Sequence, residues 1–129
     1  MREIVSTDDA PAAVGAYSQA TTTEDLLFTA GQVPLTPDGD LLADADVATQ
    51  TERALANVLA IVESEGAGAA DLLKVTVYLR DADDFAAMNG AYADFFEDVE
   101  ADPPARSAVE AAPPVEGADV EIEAVATLR

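Results

Sequence analysis

The stretch from Val120 to Leu128, VEIEAVATL, alternates apolar and other residues almost without a break. Successive side chains of an extended chain point to opposite faces. Val120, Ile122, Ala124, Ala126 and Leu128 therefore share one face, and Glu121, Glu123, Val125 and Thr127 share the other. A helix cannot sort these residues that way. The chain must build a sheet around this strand and cover its apolar face.

The rest of the chain supplies the material. Arg2 to Ser6, Gly15 to Ala20 and Leu26 to Gly31 read as strands, with a polar turn over Thr21 to Asp25. Thr36 to Asp40 is punctuated by Pro37 and Gly39 and reads as a turn. Asp44 or Asp46 can cap a helix whose apolar face is Val47, Thr51, Ala54, Leu55, Val58, Leu59 and Val62, ending at Gly66. Leu72 to Leu79 is rich in β-formers and reads as a central strand. A second helix starts at Asp81 or Asp83 and carries Phe85, Met88, Tyr92 and Phe95 as its stripe. Pro103 and Pro104 stop it and open an extended segment from Ala105 to Ala111, and Pro113, Pro114 and Gly117 make the turn before the last strand.

The order is β-β-β-α-β-α-β-β. The βαβ units predict parallel pairing, and a terminal hairpin predicts an antiparallel component. Together they give one α+β domain over residues 1–129, a mixed sheet with two helices packed on one face. Its second face is left bare, and a partner subunit is the economical cover.

What the chain lacks limits its chemistry. It has no cysteine and no histidine, so thiolate chemistry and a Ser-His-Asp triad are excluded and a zinc site is disfavoured. Acid–base work must fall to carboxylates, Lys, Tyr or water. The formal net charge of −20 repels phosphate backbones and anionic membranes, so neither nucleic acid nor membrane is an expected partner. Such an acidic shell with few lysines fits a salt-adapted protein, because about 1 M salt shortens the Debye length to about 3 Å and screens self-repulsion. The N-terminus lacks the basic-then-apolar pattern of a signal peptide, and no apolar run is long enough to span a bilayer, so a soluble, cytoplasmic protein is expected. Gly66 to Asp71 is not a dinucleotide-binding loop, Asp44 to Glu52 lacks the glycine and spacing of a calcium loop, and no Walker motif is present.

Six residues are basic against 26 acidic ones, and one of the six is Arg106, directly after Pro103-Pro104-Ala105. It has two readings: a structural ion pair, or a carboxylate clamp whose planar fork lysine cannot copy. Glu121 and Glu123 are either a solvated strand face or, if covered, a proton carrier whose pKa is raised by burial and lowered by a nearby arginine. Tyr17 sits among small neighbours that leave room for a ligand, or is a core or interface aromatic. Gly31-Gln32 reads as a β-bulge with close backbone access. Asn89 bonds either to neighbouring backbone or to a ligand.

Five segments taken together resemble the YjgF/Rid family of reactive enamine/imine deaminases: Ala10 to Ala20 (APAAVGAYSQA), Phe28 to Pro34 (FTAGQVP), Asn89 to Phe96 (NGAYADFF), Pro103 to Glu110 (PPARSAVE) and Val120 to Ala126 (VEIEAVA). They lie in family order, and the pairing of PARS with EIEA is the specific part. The resemblance implies a chorismate-mutase-like homotrimer, with sheets facing a central barrel and clefts between subunits. It implies cofactor-free hydrolysis of 2-aminoacrylate and related 2-imino acids to 2-keto acids and ammonia. It implies that Arg106 binds the substrate carboxylate and that Glu121 positions the attacking water. Tyr17 and Asn89 match pocket residues, Gly31 matches a backbone contact, and Ala108 stands where the family often has Cys or Thr but keeps its backbone contacts. Ala16, Ala30 and Pro114 also depart from the common pattern. The rival expectation on the same scaffold is a non-catalytic protein that binds 2-keto acids or amino acids. RNA cleavage, proposed for some members, is opposed by the charge and the missing histidine, and a holdase-type chaperone would act without Arg106.

Overall fold

A computed structural model describes the whole chain, Met1 to Arg129. The strands are β1 (Glu3–Val5), β2 (Ala20–Thr22), β3 (Leu26–Thr29), β4 (Leu72–Leu79), β5 (Ala105–Glu110) and β6 (Val120–Thr127), and the helices are α1 (Val47–Ser64) and α2 (Phe85–Asp98). They form one six-stranded sheet in the order β1-β2-β3-β6-β4-β5. Pairing is antiparallel except between β4 and β5, the two strands joined by α2. The expected mixed sheet with two helices is present.

The alternating strand lies in the middle. Val120, Ile122, Ala124 and Ala126 are buried under the helices, together with Val75, Val77 and Leu79 of β4. Helix α1 starts where Asp46 accepts a hydrogen bond from the Thr49 amide at 2.8 Å, and it ends at Gly66, whose φ of +84° suits glycine. It buries Val47, Thr51, Ala54, Leu55, Val58 and Val62 as the periodicity predicts, but Ile61 takes the deep position expected of Leu59. In α2 the buried residues are Met88, Tyr92 and Phe96; Phe85, expected in the stripe, is exposed. Asp81 caps a short 3-10 turn ahead of α2 rather than α2 itself.

Two expectations about the sheet fail, and the expected turn over Thr21 to Asp25 begins with Thr21 and Thr22 in β2. Gly15 to Ala20 is not a strand, because the pairing run is Ala20–Thr22. Gly15 has a φ of +127°, outside strand geometry. The Gln19 side chain turns inward to bond the backbone of Thr7, Ala10 and Pro11, so this stretch packs as a loop. The terminal hairpin also fails to form, because β4 lies between β5 and β6. The connection between them crosses the end of β4. There the Arg80 guanidinium donates to the carbonyls of Pro113, Val115 and Ala118 and so holds the crossing in place.

The other face of the sheet carries Ile4, Phe28, Tyr78, Val109, Glu121, Glu123 and Val125, and Ile4, Phe28 and Val109 are exposed.

Candidate functional site

Arg106 belongs to the edge strand β5 and is paired with Val75, so it points to the helix-covered face. Three residues of α2 meet it there. Phe85, Asn89 and Tyr92 fall at i, i+4 and i+7, a spacing that places them on one side of a helix. The guanidinium carbon lies 4.7 Å from the Tyr92 ring centre and 5.6 Å from that of Phe85. Its Nη1 donates to Asn89 Oδ1 at 2.8 Å. No carboxylate pairs with it: the ion pairs of the chain are Arg80 with Asp119 and Arg129 with Asp25. In so acidic a chain that is informative. The geometry favours a held, unneutralised cation over a structural ion pair. Burial pushes the Tyr92 phenol up to about 12, partly opposed by the Arg106 charge, so this ring stays neutral under the cation. Ala108, two residues on, lies on the same face and is half-buried.

Glu121 sits on the opposite face, across from Tyr78. Between the Phe28–Val125 pair and the Gln32–Ile122 bridge there are four steps on one side and three on the other. The extra residue falls between Phe28 and Gln32, beside the bulge expected at Gly31-Gln32. The bulge brings Gly31 against the Glu121 carboxylate; a Cβ at residue 31 would stand 2.8 Å from Glu121 Cδ. Tyr17, half-exposed, joins them. Its hydroxyl accepts from the Val14 amide at 3.3 Å. Together with Val14, Ala30, Val33, Pro114 and Val115 these residues line an open recess of about 410 Å³. Partial burial raises the Glu121 pKa above the ordinary carboxylate value, and the nearby Glu123 raises it further.

The predicted site residues therefore form two groups in one chain. Arg106, Asn89 and Ala108 lie on the helix face at the sheet edge, and Tyr17, Gly31 and Glu121 lie on the open face. No group of three or more His, Cys, Asp or Glu side chains is placed to hold a metal ion. Tyr92 belongs to the core stripe as the periodicity predicts and Phe85 does not, but the stripe by itself did not reveal that both rings also meet the Arg106 guanidinium. The available signal was the side of the helix they share with Asn89. The sequence reading also missed the buried amides. Gln50 bonds the carbonyls of Leu42, Ala45 and Gly117, and Asn57 bonds those of Val33 and Leu35. They fix the loops beside the recess.

The chain matches the family model described as Endoribonuclease L-PSP over residues 7–128. It is 42% identical over 130 residues to the 2-iminobutanoate/2-iminopropanoate deaminase of Escherichia coli K12, covering 100% of both chains. It is 42% identical over 126 residues to a RutC family protein of Pyrococcus horikoshii, covering 98% of each. Among solved structures, the E. coli YjgF gene product superposes with a TM-score of 0.92 at 41% identity, covering 98% of this chain and 99% of that one. E. coli TdcF with bound serine superposes at 0.91 with 39% identity, covering 97% and 98%.

Proposed function

The chain belongs to the Endoribonuclease L-PSP family, the YjgF/RutC/Rid group, and on that footing we propose that it hydrolyses 2-imino acids to 2-keto acids and ammonia. The observation that carries the reading is the unpaired guanidinium of Arg106, held by Asn89 and two rings in a chain of net charge −20. A planar fork kept free of carboxylates fits a substrate carboxylate, and one such charge-assisted pair contributes about 1.5–3 kcal/mol. Relatives carry deaminase names, and one is seen with serine, itself an α-carboxylate ligand.

The chemistry then needs little more than water. Ionised Glu121 takes a proton as the water oxygen adds to the imine carbon. It returns that proton to the nitrogen, the carbon–nitrogen bond breaks, and ammonia leaves. The carbinol oxygen passes its own proton to the departing nitrogen through Glu121 as the carbonyl forms, so the nitrogen leaves with the three hydrogens of ammonia. One imine and one water become one keto acid and one ammonia. Acid–base help of this kind is worth roughly 10²–10⁴-fold.

The two groups lie on opposite faces of one sheet, which supports a working site between copies of the chain, with Arg106 from one and Glu121 from its neighbour. A homotrimer with such clefts would also cover Ile4, Phe28 and Val109. The test is ammonia and keto-acid release from 2-aminoacrylate generated in situ by a serine dehydratase. Acceleration by the native chain and its loss in Arg106→Ala are expected. No acceleration by the folded protein would move the assignment to a binding protein for 2-keto acids, which Ala30 slightly favours.

A further inference from the structure

Beside Glu121 stands a second carboxylate that the proposed reaction does not use. Glu123 is two residues on in β6 and so shares the open face with Glu121. Tyr78 of β4 is the cross-strand partner of Glu121, yet its hydroxyl reaches diagonally and donates to Glu123 Oε1. One tyrosine thus spans the two acids: its backbone faces the first, and its hydroxyl holds the second. A negative charge held on the same face disfavours ionisation of Glu121, and the Tyr78 hydrogen bond fixes where that neighbouring carboxylate stands.

We propose that Glu123, held in place on the shared sheet face by the Tyr78 hydroxyl, is a positioning residue that acts on Glu121. This rests on the reading of Glu121 as the proton carrier. A shuttle works best with its pKa near the working pH. A carboxylate alone on an exposed strand lies well below that, and a fixed negative neighbour moves it in the useful direction. Within the chain, the other titratable groups near Glu121 are few. Tyr17 lines the recess from the N-terminal loop, Tyr78 faces it from β4, and the bulge at Gly31 contributes no ionisable side chain. Lys74 shares the open face but is paired with Val125, further along β6. An Arg106 supplied by a neighbouring copy would pull the Glu121 pKa the opposite way, and it is left intact in both variants below. Tyr78 itself resists ionisation because its proton is engaged by Glu123, so it remains a donor in the working range.

The test is a site-resolved titration of the glutamate side-chain carboxyls by carbon NMR in the native chain, Glu123→Gln and Tyr78→Phe, run alongside pH profiles of kcat/KM. In Glu123→Gln the Glu121 midpoint moves to lower pH, and the acid limb of the profile moves with it. In Tyr78→Phe, Glu123 is no longer held in place, and the Glu121 transition broadens and moves down less. A Glu121 midpoint unmoved by Glu123→Gln overturns the proposal, even if turnover falls. A midpoint that moves in a chain without imine hydrolysis leaves the coupling standing and removes the deaminase reading instead. Should Glu123→Gln unfold, Tyr78→Phe alone decides, since it keeps the ring: the Glu121 transition must then move down, or Glu123 does not act on Glu121 from the place Tyr78 gives it.

Discussion

Asn89 accepts a hydrogen bond from the Arg106 guanidinium at 2.8 Å, from a position on α2 between two aromatic residues whose rings meet the same cation. The amide orients the fork without neutralising it. We predict that Asn89→Asp converts this contact into an internal ion pair that competes with substrate carboxylate. Losing a charge-assisted contact of about 1.5–3 kcal/mol raises KM roughly 10–100-fold. Steady-state kinetics check this: KM rises more than kcat falls. An unchanged KM would mean that Arg106 does not meet the substrate carboxylate.

Gly31 owes its identity to space rather than to backbone angle, since its φ is not positive. A methyl group there collides with the Glu121 carboxyl, the movable end of a side chain, and not with backbone. Gly31→Ala is therefore predicted to fold with a stability change of under about 1 kcal/mol while displacing Glu121. Turnover falls by roughly 10²-fold or more, the share assigned to acid–base help. Denaturation curves and kinetics on the same preparation check both halves. Full activity would show that the carboxylate does not need its present place.

The sequence made some of this legible and hid the rest for physical reasons. Period-two alternation located β6, and helical spacing located α1, because each buries a face that the pattern spells out. Strand order is not encoded locally. Ala105–Glu110 and Val120–Thr127 look like a hairpin, yet the crossover through α2 seats β5 on the far side of β4. Gly15 to Gln19 looked extended because its side chains are small. Its true constraint is the buried Gln19 amide tying down residues 7 to 11, and no periodicity reveals a single buried amide. Arg106 and Glu121 were identified as residues, but the sheet face each one takes follows from register alone.

Tyr92 lies under Arg106 with its ring 3% exposed and its hydroxyl without a hydrogen-bond partner. Burial holds its proton on to about 12, against 10.0 for an unhindered phenol. The folded pKa is raised, so this contribution is fully present below about pH 10 and is lost as pH climbs toward about 12. The loss is on the order of 2 kcal/mol. Denaturant unfolding across that range, compared with Tyr92→Phe, isolates it: the variant keeps the ring beneath the guanidinium but has no proton to lose. Parallel decline in both proteins would show that Tyr92 is not the group responsible.

The separation of Arg106 and Glu121 onto two faces of one sheet makes the sharpest prediction. If each cleft takes its arginine from one copy and its glutamate from the next, two inactive variants repair each other. Arg106→Ala still offers Glu121, and Glu121→Gln still offers Arg106. In a closed ring of randomly mixed subunits, half the clefts receive an intact arginine and half of those an intact glutamate, so about a quarter of the native activity returns. Each variant assembled alone stays near background. The measurement is ammonia release after the two chains are unfolded together and reassembled, against the same chains mixed without unfolding. Recovery in the first sample and not in the second places the reaction between copies. No recovery from a correctly sized mixed assembly means that a single chain must bring both groups together, which the register of β4, β5 and β6 forbids without rebuilding the sheet.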